Sequence, residues 1–175
     1  MPSTVNKDTQ RIHTVTWEDP RISARDAGSI SGLDYLRAIR DGTIKPPPIA
    51  MLIGYRISEI EAGRAVFELE PAEYHYNPFA TVHGGIACTL LDTTMTASVL
   101  STLPIGVGCS TLDIKVTFFR AITTDTGTVS CEAKILHSGN RITTAQATLM
   151  DDQGKSYAHA VGTCMIFRAP KKKQK

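Results

Sequence analysis

Residues 77–92, NPFATVHGGIACTLLD, hold the side chains of this chain that could do chemistry. Gly84 and Gly85 stand where an apolar helix begins, and without Cβ atoms they let another backbone or a ligand approach its first turn. The first N–H groups of a helix have no intrahelical acceptor, and the helix dipole makes that end positive. A carbonyl oxygen gaining negative charge would be stabilised there. A helix start packed closely on a sheet would use the same glycines. Asp92 lies among Leu90, Leu91, Met95 and Ala97, and residues 83–103 contain no lysine or arginine. A carboxylate in such company is costly unless it is hydrogen-bonded or paired. It is either a core acid satisfied by threonine hydroxyls or a distant arginine, or a reactive acid lining a cleft.

Geometry constrains the second reading. Eight residues of helix separate Gly84 from Asp92, about 12 Å along the axis. One reacting carbonyl cannot touch both. If both act on one substrate, a second subunit must supply one of them, as in a symmetric dimer with two such helices side by side.

The elements that must position these residues follow from the pattern of the chain. Residues 83–102 read as one long helix, apolar nearly all round and so buried, and stopped by Pro104. Before it, residues 31–42 have Leu33, Leu36 and Ile39 at helical spacing, with Ser31 as a cap and Gly42 at the end. The prolines of KPPPIAML stop that helix from continuing. Residues 54–71 predict two strands around the turn EAGR, with Ala65, Phe67 and Leu69 on the buried face. After Gly108 come four strands: 110–120, 127–139, 141–154 and 155–167. In the first, Leu112, Ile114, Val116 and Phe118 are expected on one face, and Thr111, Asp113, Lys115 and Thr117 on the other. Short turns between the strands favour antiparallel neighbours. An α+β architecture, with an antiparallel sheet wrapped around one central helix, buries both. Residues 1–30 read as an irregular arm with Trp17 as a packing anchor, residues 31–168 as the domain, and KKKQK (171–175) as a solvated basic tail.

The chain's 175 residues, 42% hydrophobic and 21% charged with net charge +2, fit one ordinary globular domain. That charge gives no reason to expect nucleic acid. No leader is apparent and no apolar run reaches the ~20 residues that cross a bilayer, so a cytoplasmic protein without a membrane partner is expected. Cys88, Cys109, Cys131 and Cys164 have no C-x-x-C spacing and sit in apolar stretches, as reduced core cysteines do. His13, His75, His83, His137 and His159 lack metal-ligand spacing, so no structural metal is expected. His137 and His159 read as ordinary strand residues.

N-P-F-A-T-V-H-G-G-x(6)-L-D followed by S-T-L-D-I-K-V-T-F-F-R resembles the hotdog-fold acyl-CoA thioesterases. It is closest to the PaaI-like group (phenylacetic acid degradation, 4-hydroxybenzoyl-CoA thioesterase type II). The resemblance spans roughly residues 46–168, including GNRITTAQATLMDDQGKSYAHAVGT, and leaves out residues 1–30. It implies that Asp92 is nucleophile or general base, and that the Gly84 N–H polarises the thioester carbonyl. It also implies that His83 and Asn77 hold the thioester and the attacking water, and that Thr111, with Ser110, supports water or acid. In such enzymes Asn, His and Gly come from one subunit, and the acid and strand hydroxyl from its neighbour, which agrees with the helix-rise reasoning. A homodimer, or a pair of dimers, is therefore expected. A thioester carbonyl is electrophilic enough that carboxylate and polarising N–H suffice, without metal or redox cofactor; coenzyme A is part of the substrate. Arg120, and Arg141 with Gly139 and Asn140, are placed to meet its phosphates, with Gly85 beside the thioester. Each arginine also suits a plain solvated surface. Met95, Val99 and Phe79 are candidates for lining the acyl group.

Other readings are a hotdog protein that binds acyl-CoA without turnover, a related dehydratase, and a structural oligomeric domain. The acid at position 92 counts against the first, the absence of the usual dehydratase Asp/His arrangement against the second, and the third leaves Asp92 without a purpose. A Ser–His–Asp triad through His83 lacks the G-x-S-x-G elbow it would need.

Overall fold

A 17-residue helix, α4 (Gly84–Leu100), organises the molecule. The computed structural model describes residues 10–168. In chain order these form α1 (Pro20–Ala27), α2 (Gly32–Arg40), α3 (Pro48–Ile53), β1 (Arg56–Glu61), β2 (Arg64–Leu69), α4, β3 (Val107–Phe118), β4 (Val129–Ser138), β5 (Ile142–Asp151) and β6 (Ser156–Arg168). The six strands make one antiparallel sheet in the order β1-β2-β4-β5-β6-β3. It is the α+β sheet wrapped around one helix that the pattern of the chain predicts, and the hotdog fold that the resemblance implies.

The helix turns two faces to two different purposes. Leu90, Leu91, Thr94, Met95, Ser98 and Val99 are each 2% exposed or less and pack into the concave side of the sheet. The two hydroxyls among them are satisfied within the helix, Thr94 donating to the Leu90 carbonyl at 2.6 Å and Ser98 to that of Met95 at 2.7 Å. The second face, carrying Asp92, Thr93, Thr96, Ala97 and Leu100, turns away from the sheet. Across it the sheet's two edge strands approach each other, and α2 lies over the gap.

α2 starts where Ser31 accepts the Asp34 N–H at 3.2 Å, and it buries Gly32 and Leu36. Gly32 sits so close to α4 that a Cβ there would lie 1.9 Å from the Leu100 carbonyl oxygen. The proline run ends the continuation of α2, but its last member opens α3, since proline fits a first helical turn. The arm is not wholly irregular: Asp19 caps α1 through the Arg21 N–H at 3.0 Å, with Pro20 at the first helical position. No α1 residue is buried; Ser23 ties the helix to Tyr35 at 2.8 Å. Trp17 is 61% exposed, so it is not the packing anchor expected. Residues 1–9 and the basic tail lie outside the described residues.

The expected facing of β3 fails at one residue. Thr111 pairs with Cys164 and Asp113 with Thr163, so Leu112 is an extra residue, a β-bulge. The bulge reverses the parity of the strand. Thr111 joins Ile114 and Val116 on the inner side, whereas Leu112 is 53% exposed and Phe118 52%.

Candidate active site

Asp92 meets its partner because of that bulge. Thr111 donates to Asp92 Oδ1 at 2.6 Å, and Thr96, one turn further along α4, is 3.1 Å from the same threonine oxygen. The single Thr111 proton goes to the carboxylate, so Thr96 is the donor in the second bond. Among the described residues no side chain bonds Oδ2, which is left for a substrate or a water. The acid is neither ion-paired nor wholly buried. It stands at the wall of a cavity of about 440 Å³ between α4, the two sheet edges and α2.

The wall is mostly apolar, with Leu36, Ile39, Ile57, Phe67, Ala97 and Leu100. Several of its polar members have protein neighbours. Burial pushes the Tyr55 hydroxyl up, the neighbouring Thr93 hydroxyl pulls the other way, and the Asp92 charge adds to the rise. Burial and the Asp92 charge also raise Cys88. Cys109 donates to the Thr96 carbonyl at 3.7 Å, and its contact with Cys164 and burial push its thiol up. Cys109 therefore faces the cavity as a hydrogen-bonded thiol.

Gly84 belongs elsewhere. It lines a separate hollow of about 360 Å³ with Phe118, Phe119, Arg120 and Tyr157, and a Cβ on it would come 3.2 Å from the Phe118 ring. His83 caps the helix: its Nδ1 accepts the Gly85 N–H at 2.8 Å and its carbonyl the Ile86 N–H at 2.9 Å. A neutral His83 ring thus carries its proton on Nε2, as a donor. The Gly84 N–H, at the first helical position, has no intrahelical acceptor. Asn77 is engaged locally, its Oδ1 accepting the Phe79 N–H at 2.8 Å and its Nδ2 donating to Thr81 at 2.9 Å. Gly139, Asn140 and Arg141 line a third hollow of about 470 Å³ with Arg168. Within one chain, then, Asp92, Thr111 and Ser110 share a cavity, Gly84 and Arg120 share another, and the 139–141 turn is apart from both. Met95 and Val99 lie in the core on the sheet face of α4 and do not line the Asp92 cavity; Phe79 is 86% exposed. Sequence reasoning missed Tyr55, Thr93, Thr96 and the α2 wall. The α4 spacing 92, 93, 96, 97, 100 was a signal for part of it.

Residues 79–158 match the family model described as the thioesterase superfamily. That match covers 80 of the chain's 175 residues, and what it marks is a likeness to that superfamily. Among solved structures, a hotdog thioesterase likeness extends to a phenylacetic acid degradation-related protein of Ralstonia eutropha JMP134. It is 28% identical with TM-score 0.68, over 75% of this chain and 98% of that one. The E. coli PaaI protein of the phenylacetic acid degradation operon is 19% identical with TM-score 0.69, over 79% and 98%, and shares the fold. A Saccharolobus solfataricus protein to which esterase activity is attributed is 27% identical over 135 residues, 77% of this chain and 94% of that protein. The superfamily match and the 27%-identical relative support hydrolysis as the class of chemistry. Among the described residues no group of three His, Cys, Asp or Glu side chains could hold a metal ion, and no helix is long and apolar enough to cross a membrane.

Proposed function

We propose that the chain is a cytoplasmic acyl-CoA thioesterase in which Asp92 attacks the thioester carbon or takes the proton of the water that does. The observation that carries this is the 2.6 Å Thr111–Asp92 hydrogen bond at the wall of an apolar cavity, with Oδ2 left open. As general base, Oδ2 accepts a proton from water, whose oxygen bonds the carbonyl carbon; the C–S bond then breaks and coenzyme A leaves as the thiol. As nucleophile, Oδ2 itself bonds the carbon, the thiolate leaves, and water hydrolyses the mixed anhydride. Either way the carbonyl oxygen becomes an oxyanion, and the Gly84 N–H of a second subunit is the donor we assign to it.

The edge strand supports that sharing. β3 is 12 residues long, has one unpaired side, and presents Leu112 and Phe118 to solvent. Such an edge is a template for pairing. Antiparallel pairing of two β3 strands about a two-fold near Ile114 and Lys115 sets residues 109–111 of one subunit against 118–120 of the other. The first group lines the Asp92 cavity, the second the Gly84 hollow. The homodimer therefore completes two sites, and pairing of dimers remains open to the rest of the surface. His83, a donor at Nε2, orients the thioester, and Asn77 shapes the loop that holds it. Gly85 lies beside the thioester, and Arg120 and Arg141, with Gly139 and Asn140, take coenzyme A phosphates. No metal or redox cofactor enters these steps.

The test is thiol release from an acyl-CoA panel by wild type and Asp92→Asn, with solution mass measured alongside. Wild type hydrolyses at least one member as a dimer or larger. The asparagine variant loses at least about 100-fold in kcat while still binding, since its reacting group is gone. Equal rates would sink the role of Asp92, and an active monomer the shared site. Single-turnover hydrolysis in ¹⁸O water separates the two routes, because only the nucleophilic one labels Asp92.

A further inference from the structure

The face of α4 that carries Asp92 continues as Thr93, Thr96, Ala97 and Leu100, and all five residues line one cavity. The cavity therefore runs along the helix from the acid to Leu100, eight residues or about 12 Å. An extended chain advances roughly 1.2 Å per bond, a third of the per-residue span of an extended peptide, so about ten bonds fit. The volume permits that length. A methylene fills close to 30 Å³, near the share of one water molecule in the liquid. Eight to ten carbons then take up over half of the 440 Å³, leaving room at the mouth.

Apart from Asp92 Oδ2 and the exposed Ser110, the polar groups of the wall face protein partners. Tyr55 neighbours Thr93, Thr96 and Thr111 bond each other, and Cys109 bonds the Thr96 carbonyl. Arg40 pairs with Asp41 at 2.8 Å and Arg56 with Glu68 at 2.6 Å. A substrate hydroxyl or carboxylate lying against Ala97 and Leu100, past Thr96, would lose its water beside apolar side chains.

Resting on the thioesterase reading, we infer that the acyl group is an unsubstituted aliphatic chain of about eight to ten carbons lying along α4. Its length is measured from Asp92 to the contact of Leu100 with α2. An aryl group such as phenylacetyl reaches only about half as far. Ala97 is the position that sets a shorter limit: it lies five residues from Asp92, about 7.5 Å or roughly six bonds.

The experiment is a kcat/KM series over straight-chain acyl-CoA substrates from two to sixteen carbons, with phenylacetyl- and hydroxybenzoyl-CoA. In parallel, the same compounds are titrated against Asp92→Asn by calorimetry. Wild-type kcat/KM rises about three- to fourfold per added methylene to a maximum at eight to ten carbons, and the affinities of Asp92→Asn follow the same profile. Ala97→Leu moves the optimum to six carbons or fewer; Leu100→Ala moves it up by one or two. Melting curves confirm that each variant is folded, and the two act in opposite directions, so failure of one leaves the other decisive. A profile that peaks at acetyl or at an aryl group overturns the inference, as does an optimum that neither folded variant moves. If no thioester is cleaved, the thioesterase reading fails. The length reading then stands or falls on whether binding rises to eight to ten carbons or stays flat.

Discussion

Replacing Thr111 with valine keeps the shape and β-branching of the side chain and removes one proton donor. Two bonds depend on it: 2.6 Å to Asp92 Oδ1 and 3.1 Å from Thr96. A hydrogen bond to a charged acceptor contributes about 1.5–3 kcal/mol, and partial exposure at position 111 places this one toward the lower half of that range. If the bond fixes the direction of Oδ2, its loss appears in the reacting complex more than in the resting one. At about 1.4 kcal/mol per tenfold, kcat should fall roughly 10- to 50-fold in Thr111→Val, with KM changed by less than about twofold. Thr111→Ser, which keeps the hydroxyl, should recover most of the loss. The assay is steady-state thiol release on the best substrate of the panel, with melting curves to verify folding. A valine variant within threefold of wild type in kcat refutes the positioning role. So does a serine variant no better than the valine one.

Other perturbations reach the supporting frame. His75 is 3% exposed, accepts the Ala72 N–H at 3.0 Å through Nδ1, and is 2.9 Å from the Ile53 carbonyl through Nε2; its own carbonyl accepts the His83 N–H at 2.8 Å. Burial holds it below its ordinary 6.5. The folded state thus binds fewer protons than the unfolded state, and the stability this contributes is present above 6.5 and lost as pH falls below it. Melting temperature should therefore drop between pH 6.5 and 5 in wild type, and less steeply in His75→Gln; parallel curves would exclude His75 as the source. Gly32→Ala forces a Cβ against the Leu100 carbonyl, so α2 must lift. Denaturant titration should show a loss of about 1–3 kcal/mol, and any activity that remains should discriminate less between acyl lengths. Leu90→Ala, on the fully buried sheet face, should cost about 2–5 kcal/mol without moving the preferred length.

The strands and both longer helices were legible because their periodicity is imposed locally. The Ser31 cap, the run from Gly84 to Leu100 and the alternation of Ala65, Phe67 and Leu69 all gave their structure away. Asp92 and the Thr111 hydroxyl could be picked as a pair only through resemblance, because strict alternation along β3 sends Thr111 to the face opposite Ile114. One inserted residue, Leu112, brings it back, and a period of two carries no mark of an insertion. The cavity was hidden for a different reason. Leu36, Ile39, Tyr55 and Leu100 read as ordinary core residues, and only tertiary packing leaves space between them. Met95 and Val99 were candidates for the acyl wall because α4 is apolar nearly all round, so composition alone could not say which face met the sheet. α1 depends on a single aspartate and proline at its start, too short a signal to outweigh a polar, aperiodic surrounding.

The two faces of α4 also separate what selection can see. A substitution at Leu90, Met95 or Val99 is judged by whether the chain folds at all, in every cell and on every diet. One at Ala97 or Leu100 is judged by which acyl groups the organism needs cleared. Because the two sets interleave along one 17-residue helix, a lineage can change its preferred substrate within that helix while the residues that pin it to the sheet stay as they are. Relatives that differ at 93, 96, 97 and 100 but agree at 90, 91, 94 and 95 would be the trace of that history.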